Sequence, residues 1–380
     1  MNKVRIGLVG CGGRGISVTT LFRIHPQCEV TACCDIYEAC ATRAAERFQI
    51  PARFVYTNYE KMLREAPVDA VFLAPDPMVQ VAMACQAMQA GKHVCTEVPA
   101  AFTLEECWKL IETVERTGMK YQLMEQTRYW GFVQTWKQMV DRGELGHVCL
   151  AQGEYVHYEE HWGCWTDTET GDILPSNERP RDRDVLPHWR YLLLSDPIYY
   201  LPHTLSPLLS ILGDRVLSVA CMGTRKQSYT QQGLPWCDIQ YALMHTEKDT
   251  ILLAGAGFSL PHVPRGATYC HWYELRGTDG SVCSPRCYSE PFRVWRRGMS
   301  DFEAMSLSTI PLGADQEQAQ TGHGGADYCP VDTFIKSIIE DTTPPLDVYL
   351  TAELTAPAIV AAESARSGGA LLKVPDFRRR

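Results

Sequence analysis

The first third of the chain alternates between short apolar runs and amphipathic stretches. Val4–Val9, residues 30–35, residues 68–74 and His93–Thr96 are the runs; segments reaching Ile24 and spanning Glu38–Phe48, 78–90 and 103–117 follow them with helical spacing, and 121–125 adds a further strand. Strands alternating with helices of that length are the pattern of βαβ units around a parallel sheet. From residue 148 the period changes to two, over 148–158, 215–224, 236–247, 250–259 and 268–276. That alternation suits a largely antiparallel sheet with one face covered. Residues 159–198 between the first two of these runs are irregular and rich in Trp, His, Arg and Pro; 327–366 return to helical spacing, and 367–380 read as a polar loop with a basic end. The pattern predicts an α/β domain over 1–124, then an α+β domain over 125–380 with a large, mostly antiparallel open sheet. The helices of 327–366 are expected to pack back toward the first domain.

Composition narrows the classes. At 380 residues the chain is long enough for two domains, each with its own core. Lys plus Arg number 36 against 45 Asp plus Glu, and no basic block stands out. An acidic chain of this kind has no electrostatic footprint for nucleic acid or anionic lipid. The longest apolar stretch, 191–212, is interrupted by Asp196 and by Pro197, Pro202 and Pro207, so no membrane span is expected. The first residues read as a strand rather than a signal peptide. Sixteen cysteines, several inside apolar runs (Cys33, Cys34, Cys149, Cys221), suit buried reduced thiols, and a cytoplasmic location is expected.

Gly10-Cys11-Gly12-Gly13-Arg14-Gly15 fits G-x-G-x-x-G, follows the first strand and opens the first helix, and Asp35 stands twenty positions after the last glycine, at the end of the second strand. Glycines permit a tight turn and a close approach to a pyrophosphate, whose charge meets the helix N-terminus. Asp35 can accept hydrogen bonds from the adenosine ribose and repels a 2′-phosphate, which favours NAD over NADP; Arg14 and Arg43 are the cations that argue the other way. The first domain is therefore expected to be a Rossmann domain holding NAD through Gly10, Gly12, Gly13, Arg14, Gly15 and Asp35.

Further motifs carry a resemblance. Ala74-Pro75-Asp76 after a strand, and Gly91-Lys92-His93-Val94-Cys95-Thr96-Glu97-Val98-Pro99, make the chain similar over its whole length to the Gfo/Idh/MocA oxidoreductases. It departs from ordinary members in having Val98 where they carry a lysine, Tyr199 where they tend to carry an aspartate, and Gln80 where a histidine is common. Tyr200-Leu201-Pro202-His203, Gly322-His323-Gly324-Gly325-Ala326-Asp327-Tyr328 and Leu346-Asp347-Val348-Tyr349 resemble a narrower branch, the NAD-dependent glycosidases of glycoside hydrolase family 109 and related sulfoquinovosidases. The resemblance implies hydrolysis by transient oxidation at carbon 3, elimination, water addition and re-reduction. It further implies Ala74, Asp76, Glu97 and Gln126 at the cofactor, and Tyr129 and His323 at the substrate.

Pro207 is tolerated only in a helix's first turn, which places a helix start near Thr204 and puts Tyr200 and His203 just ahead of it. Tyr200 is the expected base at carbon 2, and His203 is expected to handle the carbon 3 hydroxyl or orient the sugar; an aromatic core cluster is the plain alternative. His323 lies in a glycine-flanked loop, with Asp327 expected to cap the helix that follows. In the irregular stretch, His161, Trp189 and Arg190 are candidate substrate contacts, since aromatics stack on sugars and Arg grips an anionic group. The expected substrate is a small glycoside, compatible with an anionic sugar. His157, His161 and Cys164 have a spacing that metal sites use, as do Cys283 and Cys287, but no shared helical face unites them, and no metal is expected. A net sugar or polyol dehydrogenase and a silent NAD-binding sensor are the alternatives. The open sheet face is one the family commonly uses for self-association, so a homo-oligomer is expected.

Overall fold

The computed structural model describes residues 3–158, 163–193, 195–260 and 270–379. Glu159, Glu160, His161 and Trp162, and the first two residues of the 268–276 run, lie outside the described residues. Six strands of the first third, β1 (Val4–Val9), β2 (Cys28–Cys34), β3 (Val55–Tyr56), β4 (Ala70–Leu73), β5 (His93–Thr96) and β6 (Tyr121–Leu123), form one sheet in the order β3-β2-β1-β4-β5-β6. Every neighbouring pair is parallel. Ile6, Leu8, Val71, Phe72, Val94 and Cys95 have no exposed surface, as parallel strands covered on both faces require. Helices α1 (Gly13–Ile24), α2 (Glu38–Phe48), α3 (Tyr59–Glu65), α4 (Gln80–Gln89) and α5 (Leu104–Thr117) follow successive strands of that sheet. The boundaries of α5 are written in its ends: Thr103 and Glu106 exchange a capping box, and Gly118 closes the helix at φ 67. The strand β3 and the helix α3 are absent from the sequence expectation, because a two-residue strand makes no apolar run.

The chain continues as α6 (Gly131–Asp141) and β7 (Val148–Val156), then β8 (Trp165–Asp167), β9 (Ile173–Leu174), β10 (Val185–Pro187), α7 (Trp189–Leu193), α8 (Pro202–Leu212), β11 (Val216–Gly223), β12 (Gln240–Thr246), β13 (Ile251–Gly257), β14 (His271–Gly277), β15 (Gly280–Cys283), β16 (Phe292–Arg296), β17 (Glu303–Met305), α9 (Gln316–Ala319), α10 (Tyr328–Ile339), α11 (Val348–Arg366) and β18 (Leu372–Lys373). Nine strands join in the order β17-β16-β15-β14-β7-β13-β12-β11-β18. Among the described residues, only β7 and β13 run parallel within that sheet. The period-2 alternation shows in the pairing: Val219, Met244 and Leu252 are buried, whereas Met222, Leu243 and Ile251 lie on the opposite face and are exposed. Helix α8 covers the buried face at β7, beside α6.

Two compact units result. The first takes in residues 1–124, 161–192 and 329–352, the second 125–160, 193–328 and 353–380. Residues 161–192 and 329–352, which a division at residue 124 assigns to the second domain, thus belong to the first unit. Gln122 Nε2 donates to the Pro330 carbonyl at 2.7 Å and Leu123 N–H to that of Leu346 at 3.2 Å, which ties the later segment to the parallel sheet. The irregular stretch holds a small antiparallel sheet, β10-β8-β9, whose strands of two and three residues are too short for periodicity to reveal. The terminal loop contains β18, which adds an edge to β11.

One helix start moves. α8 begins at Pro202, not near Thr204, with proline in the first turn where its missing N–H costs nothing. Pro207 then lies inside the helix. Proline cannot donate to the carbonyl four residues earlier, that of His203, and the consequence appears in the site.

Candidate active site

The first unit builds a nucleotide cradle. Gly10 has φ +86, and a Cβ there would collide with the Ala74 carbonyl; a Cβ on Gly15 would strike the Gly10 carbonyl. Both glycines therefore serve the close approach of the loop to its own backbone. Gly12 and Gly13 are different: a Cβ on either meets nothing within 4 Å. Helix α1 has no side-chain cap at Gly12 and no acidic residue in its first turn, so its leading amides face that open space with their partial positive charge uncountered. This cradle fits a pyrophosphate. Asp35 is oriented beside it, Oδ2 accepting from Cys11 N–H at 2.7 Å and Oδ1 from Tyr37 N–H at 2.9 Å. Each carboxylate oxygen retains acceptor capacity for a ribose hydroxyl.

Arg14 Nε donates to Glu97 Oε1 at 2.9 Å, which joins the glycine loop to the end of β5. Gln80 is buried and donates Nε2 to the carbonyls of Glu97 and Pro99 at 2.7 and 3.0 Å, and so fixes the turn after β5. Asp76 caps the turn of residues 77–79 by accepting from Met78 N–H at 2.9 Å. Trp189 and Arg190 also lie in the first unit, the guanidinium 5.2 Å from the indole ring centre.

The second unit gathers a polar aromatic cluster. Tyr200 ends a short 3-10 turn and His203 is the second residue of α8. Their rings lie 6.0 Å apart and nearly parallel, and Phe258 packs edge-on to Tyr200 at 4.9 Å. His203 Nδ1 lies 2.5 Å from Glu125 Oε2, and Glu125 has no exposed surface. Burial pushes the Glu125 carboxyl up, but the His203 charge and the bonds from Thr127 outweigh it and hold the group below the usual carboxylate range. Thr127 contributes its N–H at 2.8 Å and its hydroxyl at 2.6 Å, both to Oε1. With Nδ1 committed to a carboxylate, the proton-accepting nitrogen of a neutral His203 is Nε2.

The carbonyl that Pro207 leaves without a helical donor is used. Thr127 Oγ1 lies 2.9 Å from the His203 oxygen and Tyr273 Oη 3.1 Å from it. Burial pushes the Tyr273 phenol well up, with the Glu125 charge adding to it, so the phenol keeps its proton and donates it to the carbonyl. His271 Nδ1, 2.9 Å from Tyr273 Oη, is then the donor to that oxygen. Burial first, and then the charges of His203, His323 and His157, push the His271 imidazole well down, so it is neutral. Tyr155, opposite His271 in the β7–β14 pairing, stacks on it with ring centres 4.4 Å apart.

His323 forms a second histidine–carboxylate pair. Its Nδ1 lies 2.8 Å from Oδ1 of buried Asp327, and its carbonyl accepts from Trp130 Nε1 at 2.7 Å. Trp130 in turn packs edge-on to His271 at 5.0 Å. The His323 side chain is 39% exposed, which leaves the imidazole edge accessible. Tyr129 is half-buried in the turn of residues 127–129. Gln126 is buried, and its Oε1 has no hydrogen-bond partner among the described residues.

Structure and expectation differ in what they bring together. Tyr200, His203, Gln126, Tyr129 and His323 share the second unit; the glycine loop, Asp35, Ala74, Asp76, Glu97, Trp189 and Arg190 share the first; His161 lies outside the described residues. Sequence reasoning does not single out Glu125, Tyr155, His271 or Tyr273. The available signal was His271 and Tyr273 at alternate positions of β14, and Tyr155 near the end of β7 with His157 two residues on, where a core strand carries aliphatic side chains. Cys164 lies in the first unit and His157 in the second, and no cluster of three metal-type side chains forms among the described residues. All sixteen cysteines are free thiols, most of them buried. No helix among the described residues is long and apolar enough to cross a membrane.

Residues 4–125 match the model of the oxidoreductase family with an NAD-binding Rossmann fold, Gfo/Idh/MocA, and residues 312–380 match the C-terminal domain of glycosyl hydrolase 109. A glycosyl hydrolase family 109 protein of Saccharopolyspora erythraea is 28% identical, over 99% of this chain and 83% of its own. Among solved structures, an oxidoreductase from Agrobacterium radiobacter, in complex with NAD+, L-tartaric acid and magnesium, superposes with a TM-score of 0.75 at 15% identity, covering 98% of each chain. Scyllo-inositol dehydrogenase from Lactobacillus casei, with bound NAD(H) and scyllo-inositol, gives 0.71 at 17% identity, covering 98% of this chain and 99% of that one. The open glycine cradle, the oriented Asp35 and these matches show an NAD-dependent enzyme, similar over residues 4–125 to the Gfo/Idh/MocA oxidoreductase Rossmann domain and over residues 312–380 to the C-terminal domain of glycosyl hydrolase 109.

Proposed function

We propose that the enzyme hydrolyses a glycoside by transient oxidation at carbon 3, elimination, water addition and re-reduction. The observation that carries the reading is the pairing, in one chain, of an NAD-binding domain with the C-terminal domain of a hydrolase family. Hydrolysis moves no electrons overall, so a redox cofactor retained in a hydrolase points to an oxidation that is undone before product leaves. Bound NAD, held by the glycine cradle and Asp35, would supply the reversible oxidation of a sugar hydroxyl.

The remaining work belongs to the protein's own side chains. His203, backed by Glu125 as the aspartate of a catalytic triad backs its histidine, takes the proton of the carbon 3 hydroxyl at Nε2. Once carbon 3 is a ketone, the hydrogen on carbon 2 is acidic, and Tyr200 Oη removes it as the phenolate. The aglycone leaves carbon 1 carrying a proton, water adds to carbon 1, and the Tyr200 phenol returns its proton to carbon 2 before carbon 3 is re-reduced. His323, held by Asp327, and Tyr129 bind the sugar. The exposed face carrying Met222, Leu243 and Ile251 is the surface we assign to self-association.

Nitrophenyl glycosides with and without added NAD test the reading. Nitrophenol released without accumulating NADH supports it; net NADH selects a dehydrogenase, and silence across a broad panel leaves only a binding protein. In deuterated buffer, Tyr200→Phe is expected to stop hydrogen exchange at carbon 2, and undiminished exchange removes Tyr200 from the role.

A further inference from the structure

The turn of residues 167–172, between β8 and β9, is docked on the chain segment that follows Asp35. Gly171, at φ +72, lies so close to the Tyr37 ring that a Cβ would come within 2.6 Å of it. Cys40 Sγ donates to the Thr170 carbonyl at 3.4 Å, and Arg43 Nη2 donates to Asp172 Oδ1 at 2.7 Å. Asp167 builds the turn by accepting from the amides of Glu169 and Thr170 at 2.9 and 3.0 Å. Every one of these residues belongs to the first unit.

This arrangement bears on the one chemical difference between the two nicotinamide dinucleotides. NADP carries a phosphate on the ribose oxygen that Asp35 serves, and sites that take it commonly offer an arginine nearby. Arg43 stands on α2, which opens three residues after Asp35, and its guanidinium folds back to Cys40 Sγ at 3.2 Å. Asp172 holds it there. The other arginine in question, Arg14, is held by Glu97. We infer that Asp172, delivered by the docked 167–172 turn, is a cofactor-specificity residue: it engages Arg43 so that this cation does not receive a 2′-phosphate, and it adds negative charge on the side of Asp35. The inference rests on the NAD reading of the first unit and deepens it.

Displacement of NADH fluorescence from the purified enzyme by NAD+ and by NADP+ reads the preference directly, without turnover. Asp172→Asn keeps the shape of the turn and releases Arg43; the Asp172 side chain is 54% exposed, so the fold tolerates the change. The expected result is NADP+ binding about tenfold tighter with NAD+ within twofold of the wild type, since a released guanidinium gains a charge-assisted bond to phosphate. Arg43→Gln in the Asp172→Asn background is expected to erase the gain. An unchanged NADP+ to NAD+ ratio in Asp172→Asn overturns the inference, as does equal weakening of both nucleotides or a gain that survives loss of Arg43. A wild-type enzyme that binds neither nucleotide overturns the NAD reading itself.

Discussion

Glu125 has no contact with solvent, and its charge is stabilised by a histidine and by two donors of Thr127. Replacing it by Gln keeps an acceptor near His203 Nδ1 and removes the charge that a protonated imidazole needs. The expected outcome for Glu125→Gln is a fall in kcat of roughly 10²–10⁴-fold, the range of general acid–base contributions, with NAD affinity unchanged. Steady-state rates on a nitrophenyl glycoside and an NADH titration check this together; a kcat within threefold of wild type removes Glu125 from proton handling. At this scale the sequence was partly legible. Tyr200 and His203 stand out beside a proline-rich helix start, and their neighbourhood is as aromatic as expected. Glu125, Tyr273 and His271 reach the same spot from strands and turns far apart along the chain, and local spacing does not encode such a meeting.

Elements separate the glycines by purpose. Gly12 has φ −75 and open space where a side chain would stand, so Gly12→Ala is compatible with the fold. Its expected signature is an unfolding midpoint unchanged or slightly raised, because the unfolded chain loses freedom, with NAD binding weakened about tenfold or more. Gly15→Ala instead meets the Gly10 carbonyl and is expected to destabilise the protein by about 1–3 kcal/mol even without nucleotide. Thermal unfolding with and without NAD distinguishes the two; equal behaviour of both variants would mean the cradle has no special role. The strands and helices around these glycines were readable because apolar runs and caps mark them, as the Thr103 box and Gly118 mark α5. The small sheet β10-β8-β9 was not, because strands of two or three residues held by backbone bonds carry no period.

For the whole molecule, acid is the expected weakness. Burial, with help from the Arg190 charge, pushes the His188 imidazole down to about 3 from its ordinary 6.5. The folded protein keeps it neutral while the unfolded chain takes up a proton below about pH 6.5, so the unfolded state binds more protons in that window. The stability that neutral His188 supplies is therefore complete above pH 6.5 and lost as pH falls toward 3, with a slope of up to about 1.4 kcal/mol per pH unit. Glu125 acts in the same sense at lower pH, its depressed carboxyl favouring the folded form until it is protonated. Urea unfolding at pH 7, 6 and 5 is expected to show a falling midpoint in the wild type and a flatter one in His188→Gln. Equal slopes would show that His188 titrates alike in both states.

The first unit is assembled from residues 1–124, 161–192 and 329–352. A chain emerging from the ribosome can fold its leading segment early, as N-terminal domains commonly do. The hydrogen bonds that Gln122 and Leu123 make to Pro330 and Leu346, however, must wait until residues 330–346 have been synthesised. A fragment cut after residue 124 would lack them, along with the turn that holds Arg43. Nucleotide capture is thereby expected to be a late event in biogenesis, and a truncated gene product to be a poor stand-in for the native binding half.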